Sequence, residues 1–365
     1  MKINEVINVL ENIAPVSLQE NYDNAGLIIG NREDDCTGII ASLDVTEAII
    51  EEAIQKKCNL IVAHHPIIFK GLKKITGKNY VERTVITAIK NNIAIYAIHT
   101  NLDNIIGGVN KKLAEKLNLQ NCKVLLPKEG TLKKLVTFSP IKNADEVRNA
   151  LFKAGGGTIG QYDECSFNIE GKGTFKAGED TSPYIGKIGE RHSEQEARIE
   201  IIFPGFLQNQ IIQSLKKVHP YEEVAYDIYL LENQREDVGS GLIGSLPEAM
   251  TEIELLNLLK KSFGLSVIKH TPILNNKISK VALCGGAGIF LLPQAIAASA
   301  EVYITSDIKY HEFFDADNKI LLADIGHYES EQFTIELIAE ILQQKFPNFA
   351  VQKTEITTNP VHYYI

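Results

Sequence analysis

The chain has no run approaching the roughly 18–20 apolar residues that span a bilayer. It also has no Cys-x-x-Cys pair, no complete Gly-x-Gly-x-x-Gly fingerprint and no repeat at a solenoid period. The five cysteines, Cys36, Cys58, Cys122, Cys165 and Cys284, are odd in number and widely scattered. Such a set makes no disulfide framework and leads to the expectation of a reducing, cytoplasmic location. An excess of basic charge is missing too: 37 Lys and Arg against 46 Asp and Glu give a formal net charge of −9. A net negative protein is a poor partner for a phosphate polymer or an anionic membrane, so neither nucleic acid nor membrane is expected as a partner. The N-terminus lacks the apolar block of a signal peptide; Ile3, Val6, Ile7, Leu10 and Ile13 recur at helical spacing instead.

What is present is an ordinary globular composition, 44% hydrophobic and 23% charged. At 365 residues the chain exceeds what one core usually organises, so two domains are expected. Up to about Leu126, strands (38–43, 59–63, 93–98) alternate with helices (46–56, 81–91), the pattern of an α/β sheet. The register then changes. A strand at 132–138, a helix at 143–154 opened by Asn143 or Asp145, and two strand-like stretches at 165–169 and 174–176 come first. A strand at 197–203, a helix at 208–218 and a strand at 224–231 follow. That order is the order of a ferredoxin-like α+β module. After a polar stretch at 232–237 the α/β pattern resumes, with strands at 280–284 and 302–305 and helices at 292–300 and 330–344. The fold expected is a discontinuous α/β core, residues 1–128 and 233–365, interrupted by an inserted α+β domain at 129–232.

Three segments carry the candidate chemistry. His64 and His65 follow a strand that reads as buried on both faces and precede Pro66, which turns the chain out of the sheet. Asp103 lies just past the next strand end, where a turn or N-cap is the bland alternative. His327 and Glu331 are four apart at a helix start, a spacing shared by chelating pairs and by ordinary solvated ones. Together they supply three imidazoles and two carboxylates, a mixed set suited to Zn, Mn or Fe. A bridging carboxylate, most naturally Asp103, would hold two such ions about 3.5–4 Å apart. His99 reads as a strand histidine, buried and hydrogen-bonded. Asp307 and His311, at i and i+4, read either as supporting or proton-transfer groups or as a structural pair. The glycine turn 285–288 sits where backbone N–H groups can cradle an anion, although such turns are usually only turn chemistry. His192, His219, His270 and His362 show no acidic or imidazole partner at ligand spacing, and 221–223 reads as interface or strand-edge chemistry.

These segments resemble those of the dinuclear metal-centre family known as GTP cyclohydrolase 1 type 2 homologues. The resemblance rests on Asn21-Tyr22-Asp23-Asn24-Ala25-Gly26-Leu27, Ala63-His64-His65-Pro66, His99-Thr100-Asn101-Leu102-Asp103, Gly326-His327-Tyr328-Glu329-Ser330-Glu331 and, less closely, Thr305-Ser306-Asp307 through His311. In the last of these Ser306 stands where the family commonly has Gly. The segment 218–224 makes the insert resemble the PII-like (CutA-like) module of longer bacterial members. The resemblance implies His64, His65, Asp103, His327 and Glu331 as ligands of two divalent ions per chain. It also implies a homohexameric ring built from trimers and a small-molecule substrate such as a nucleotide. On that basis the expected activity is metal-assisted hydrolysis, with His99, Asp307 or His311 moving protons. The alternative is a non-catalytic hexamer that handles metal or senses a ligand.

Overall fold

The computed structural model describes residues 1–364. The chain divides into two compact units, Met1–Pro127 with Glu236–Ile365, and Lys128–Arg235. The first unit is built on two sheets. One has five strands in the order Gly26–Ile29, Ala94–Ala97, Leu60–Ala63, Ile39–Ser42 and Val351–Lys353. The other has six, in the order Lys269–His270, Leu321–Asp324, Val302–Thr305, Lys277–Leu283, Gly239–Thr251 and Gln120–Pro127. The halves of the chain are interlocked. The C-terminal Val351–Lys353 pairs in parallel with Ile39–Ser42, and Gln120–Pro127 pairs antiparallel with Gly239–Thr251.

The strands Ile39–Ser42, Leu60–Ala63 and Ala94–Ala97 are parallel and buried at every position. Sequences of this kind read as continuous apolar runs because both faces are covered. Side chains of both sheets, among them Val62, Tyr96, Val281 and Ile304, fall into one core with Ile3, Val6, Ile7 and Leu10 of the helix Ile3–Ile13. Glu47–Gln55 starts at Thr46 and Tyr80–Lys90 at Asn79, whose side chains accept the backbone N–H of Ile49 and of Glu82. Caps of this type are worth about 1 kcal/mol each.

Several boundaries differ from those expected. The predicted helix at 330–344 is two helices, His327–Glu331 and Thr334–Lys345. Between them the Gln332 side chain donates to the carbonyl of Phe263, and the Phe333 ring packs 5.7 Å from that of Phe263. These contacts hold the chain at a bend that local periodicity does not reveal. The helix Glu252–Phe263 went unrecognised, although Thr251 and Glu254 form a complete capping box at its start.

The second unit runs Leu132–Pro140, Ala144–Lys153, Phe167–Lys176, Arg191–Pro204, Gln208–Val218 and Tyr226–Leu230, in the order β-α-β-β-α-β. Its four strands form one antiparallel sheet in which Leu132–Pro140 lies between Arg191–Pro204 and Tyr226–Leu230, with Phe167–Lys176 at the far edge. The two strand-like stretches at 165–169 and 174–176 are thus one strand. Gly171 and Gly173 look like breaks in the sequence, yet both pair within an uninterrupted ladder. Asn143 occupies the cap position of Ala144–Lys153 but makes no capping bond, because a short 3₁₀ turn, Ile141–Asn143, leads directly into the helix.

Candidate metal centre

The central strand Leu60–Ala63 delivers His64 and His65 to the C-terminal end of the parallel strands, where their backbone N–H groups still bond to the carbonyls of Ser42 and Leu43. His64 is fully buried. Its Nδ1 lies 2.8 Å from the carbonyl of Ile98, which can only accept, so Nδ1 bears the proton. Its Nε2 is left as a buried lone pair with no hydrogen-bond partner. That atom lies 3.6 Å from Asp103 Oδ1 and 3.9 Å from Glu331 Oε1. Burial holds the His64 pKa down at about 3, so the ring is neutral.

His65 donates from Nδ1 to Asp44 Oδ1 at 2.8 Å and from Nε2 to Glu331 Oε2 at 3.0 Å. Burial opposes its charge, but those two carboxylates outweigh it and raise the pKa to about 10. His327 repeats the arrangement, bonding to Asp307 Oδ2 at 2.7 Å and to Glu331 Oε2 at 3.0 Å. Burial again opposes the charge, and the Glu331 and Asp307 carboxylates raise its pKa to about 9. Glu331 resists its burial because His327 and His65 both donate to it, and its carboxyl is held well below the usual range. Asp103 has no such donor. Burial and the neighbouring Glu331 charge push it well above the usual range.

His99 lies outside the strand in which it was expected. It caps the four-residue helix Thr100–Asp103, with Nδ1 2.7 Å from Asp23 Oδ1. Burial raises the Asp23 pKa, but the His99 ring and the Thr100 hydroxyl together carry it far below its ordinary value. One ring nitrogen from each of His64, His65 and His99 falls within a 4.8 Å group, and His65, His327 and Glu331 form a second. Four of the expected five residues fall in these groups with His99, and Asp103, which belongs to neither, approaches them through its 3.6 Å distance to His64 Nε2.

Asp307 faces the cluster through His327, whereas His311 does not reach it. His311 is exposed on the 3₁₀ helix Tyr310–Ala316, its ring against Tyr310 and Phe314. The glycine turn is not arranged as an anion cradle. The N–H groups of Gly285, Gly286 and Gly288 donate instead to Asn110, Ser330 and Thr305 side-chain oxygens. Its glycines serve close packing: a Cβ at Gly286 would lie 2.3 Å from Glu331 Oε1, and its φ is +63°.

Two supporting carboxylates escaped the sequence reading. Asp23 lies in the segment 21–27, where no spacing marks it as a partner of His99, and Asp44 follows the strand Ile39–Ser42 as Asp103 follows Ala94–Ala97. The strand-end rule that selected Asp103 applies to Asp44 equally. Thr358 holds Asp44 from its other oxygen, at 2.6 Å.

The cluster opens on a cavity of about 830 Å³ whose walls include Tyr22, Phe69, Phe290, Tyr328 and Tyr363. The one lysine in its lining, Lys269, is paired with Asp324.

Fold and site together define an α/β protein with a histidine–carboxylate cluster able to hold a divalent metal. The chain belongs to the Duf34/NIF3 (NGG1p interacting factor 3) family, whose description matches residues 1–360. It is 39% identical over 360 residues to a Halalkalibacterium halodurans protein named GTP cyclohydrolase 1 type 2 homolog, covering 97% of each chain. A Bacillus subtilis protein of the same name is 38% identical over 363 residues, covering 98% of this chain and 97% of the relative. Among solved structures, a Bacillus cereus protein related to NIF3 superposes with a TM-score of 0.86 at 38% identity, covering 100% of this chain and 99% of that one. The family resemblance expected from the motifs is therefore correct. Among the described residues no helix is long and apolar enough to cross a membrane.

Proposed function

We propose that His64, His65, Asp103, His327 and Glu331 hold two divalent ions per chain, and that the protein is a metal-assisted hydrolase acting on a nucleotide or phosphoester. The observation that carries the reading is His64 Nε2, a fully buried acceptor without a partner, facing two carboxylates. An unsatisfied buried polar atom costs about 1–3 kcal/mol, which a bound cation would recover. Histidines whose other nitrogen is fixed by a carboxylate or a carbonyl are the usual form of metal ligands, because the outer bond sets ring orientation and tautomer.

When bound, the ions would supply Lewis-acid polarisation of the scissile group and activation of water. The chain's own residues do the rest. Asp44 and Asp307 orient His65 and His327, and the bond between His99 and Asp23 supports a role for His99 in holding or passing a proton. The aromatic wall offers flat faces for a ring system, and a cavity of this size suits a small-molecule ligand. Carboxylates outnumber lysine and histidine in the lining, so bound cations would favour an anionic substrate. The names of the relatives support GTP as the first candidate. The β-α-β-β-α-β order of the second unit supports its reading as a PII-like insert. The family resemblance supports a homohexameric ring, and the exposed rings of Tyr310 and Phe314 offer apolar surface for association. Light scattering of the purified protein checks the assembly.

Elemental analysis of the native protein beside Asp103→Ala tests the centre. The expected result is about two ions per chain, falling to fewer than one in the variant. Protein loaded with Zn, Mn or Fe is then assayed against GTP and a phosphoester panel. Turnover that disappears in Asp103→Ala supports the hydrolase. Full metal occupancy with no turnover on any substrate would remove the catalytic half of the proposal and leave a metal-handling protein.

A further inference from the structure

The second unit holds a cavity of its own, about 420 Å³, enclosed by the sheet and by the segments around Thr181 and Tyr221. Three rings form a box on one side of it. Tyr221 lies 6.0 Å from Phe175 and 6.3 Å from Tyr184, inclined at 57° and 55°, so the rings enclose space and do not stack. Three carboxylates, Glu196, Glu222 and Glu223, complete the lining, which contains no lysine, arginine or histidine. Glu196 is 9% exposed, and Tyr221 Oη donates to its Oε1 at 2.8 Å. Glu222 is pinned by the backbone N–H of Ser182.

The position of Glu196 is bought by a glycine. A Cβ at Gly173 would sit 2.0 Å from Glu196 Oε2. Glycine weakens a strand interior and often marks close approach of another group, here a carboxylate turned into the cavity. Among the described residues no basic side chain forms an ion pair with Glu196, Glu222 or Glu223, although every other carboxylate on the strand Arg191–Pro204 is paired: Glu194 with His192, and Glu200 with Lys134 and Arg198. The three carboxylates do not converge within 4.8 Å as a metal-binding group would. Negative charge without a counter-ion, beside aromatic faces, matches one ligand chemistry. An ammonium head is drawn to ring faces and to carboxylates, and an apolar body fills the remaining space. The outer surroundings show the same preference: the Lys142 ammonium lies over the Tyr184 ring, 4.9 Å from its centroid.

We infer that this cavity is a binding site for a small organic cation, an ammonium group carried on an apolar body. The inference rests on the second unit alone and is independent of the hydrolase reading. Its test uses the intact protein in its native assembly, titrated with benzyltrimethylammonium and followed by calorimetry. Tyrosine fluorescence is a second readout, since the chain has no tryptophan.

The expected result is saturable binding, with neutral benzyl alcohol weaker by about tenfold or more and benzoate not bound; Glu196→Gln and Tyr184→Leu should each weaken the cation by about tenfold. Tyr184 is 47% exposed, so its variant keeps the fold and decides the matter should Glu196→Gln fail to fold. Benzyl alcohol or benzoate binding as tightly as the cation would overturn the inference. So would unchanged affinity in Tyr184→Leu, or no saturation at millimolar cation.

Discussion

Asp44, Asp23 and Asp307 each accept a hydrogen bond from Nδ1 of one histidine, and the three pairings span 21, 76 and 20 positions of sequence. The charge state that results is unusual for a cluster of this density. Without metal, His65 and His327 are doubly protonated, with pKa values near 10 and near 9, while Asp103 is held well above the carboxylate range. A cation taking their places as ligands displaces those protons. Metal loading at pH 7 should therefore release about two protons per chain, from His65 and His327, and the release should fade as pH rises through the two histidine values, where the groups are already bare. Calorimetry in two buffers of different ionisation heat reads this number directly. Identical heats in both buffers would count against the arrangement. At this scale the candidate ligands are legible in the sequence and their supports only partly so. A histidine pair at a strand end and a His–Glu pair on a helix are local patterns, but no local pattern states which distant carboxylate meets which imidazole. His192 makes the same point: it bonds to Glu194, two residues along its strand and on the same face, a spacing that helix-based ligand rules pass over.

The helix Gln208–Val218 ends at His219, and two effects compete there. A cation at a helix C-terminus gains about 0.3–1 kcal/mol from the last carbonyls. Burial acts the other way and wins, pushing the His219 pKa below its ordinary 6.5. The hydrogen bonds agree with the neutral ring, for Nε2 donates to the carbonyl of Phe138 and Nδ1 accepts the N–H of Tyr221. The unfolded chain therefore binds a proton near pH 6.5 that the folded chain refuses. Stability from this group is intact above that pH and is lost as pH falls from there towards the lowered value. Thermal unfolding between pH 8 and pH 5 should show a smaller acid-side decline in His219→Gln than in the parent, whatever the variant's Tm at pH 8. Parallel declines would assign the acid sensitivity to other groups. Elements were read well where one face or both faces are buried, as in Leu60–Ala63. They were read poorly where tertiary contacts decide, as at the bend after Glu331 and in the glycine-bearing strand Phe167–Lys176.

The two sheets of the first unit each take an edge strand from the opposite half of the chain, so neither half closes its own sheet. Alternation of strands and helices revealed an α/β core in two pieces, but strand exchange between those pieces has no sequence signal. Long-range pairing is settled only when all the partners are present. The second unit enters and leaves this core at a single place, where Pro127 pairs with Gly239 across an antiparallel ladder. Replacing residues 128–235 with Asn-Gly, which together with residues 236–238 makes a five-residue connection from Pro127 to Gly239, should leave the metal content of the core unchanged and move Tm by no more than about 5 °C. Elemental analysis and thermal unfolding check both parts, and loss of metal in the shortened chain would show that the core depends on the segment. The same junction bears on ancestry. Neighbouring ends allow a lineage to acquire or shed the module in one genetic event, because a short connection is enough to reseal the ladder between Pro127 and Gly239.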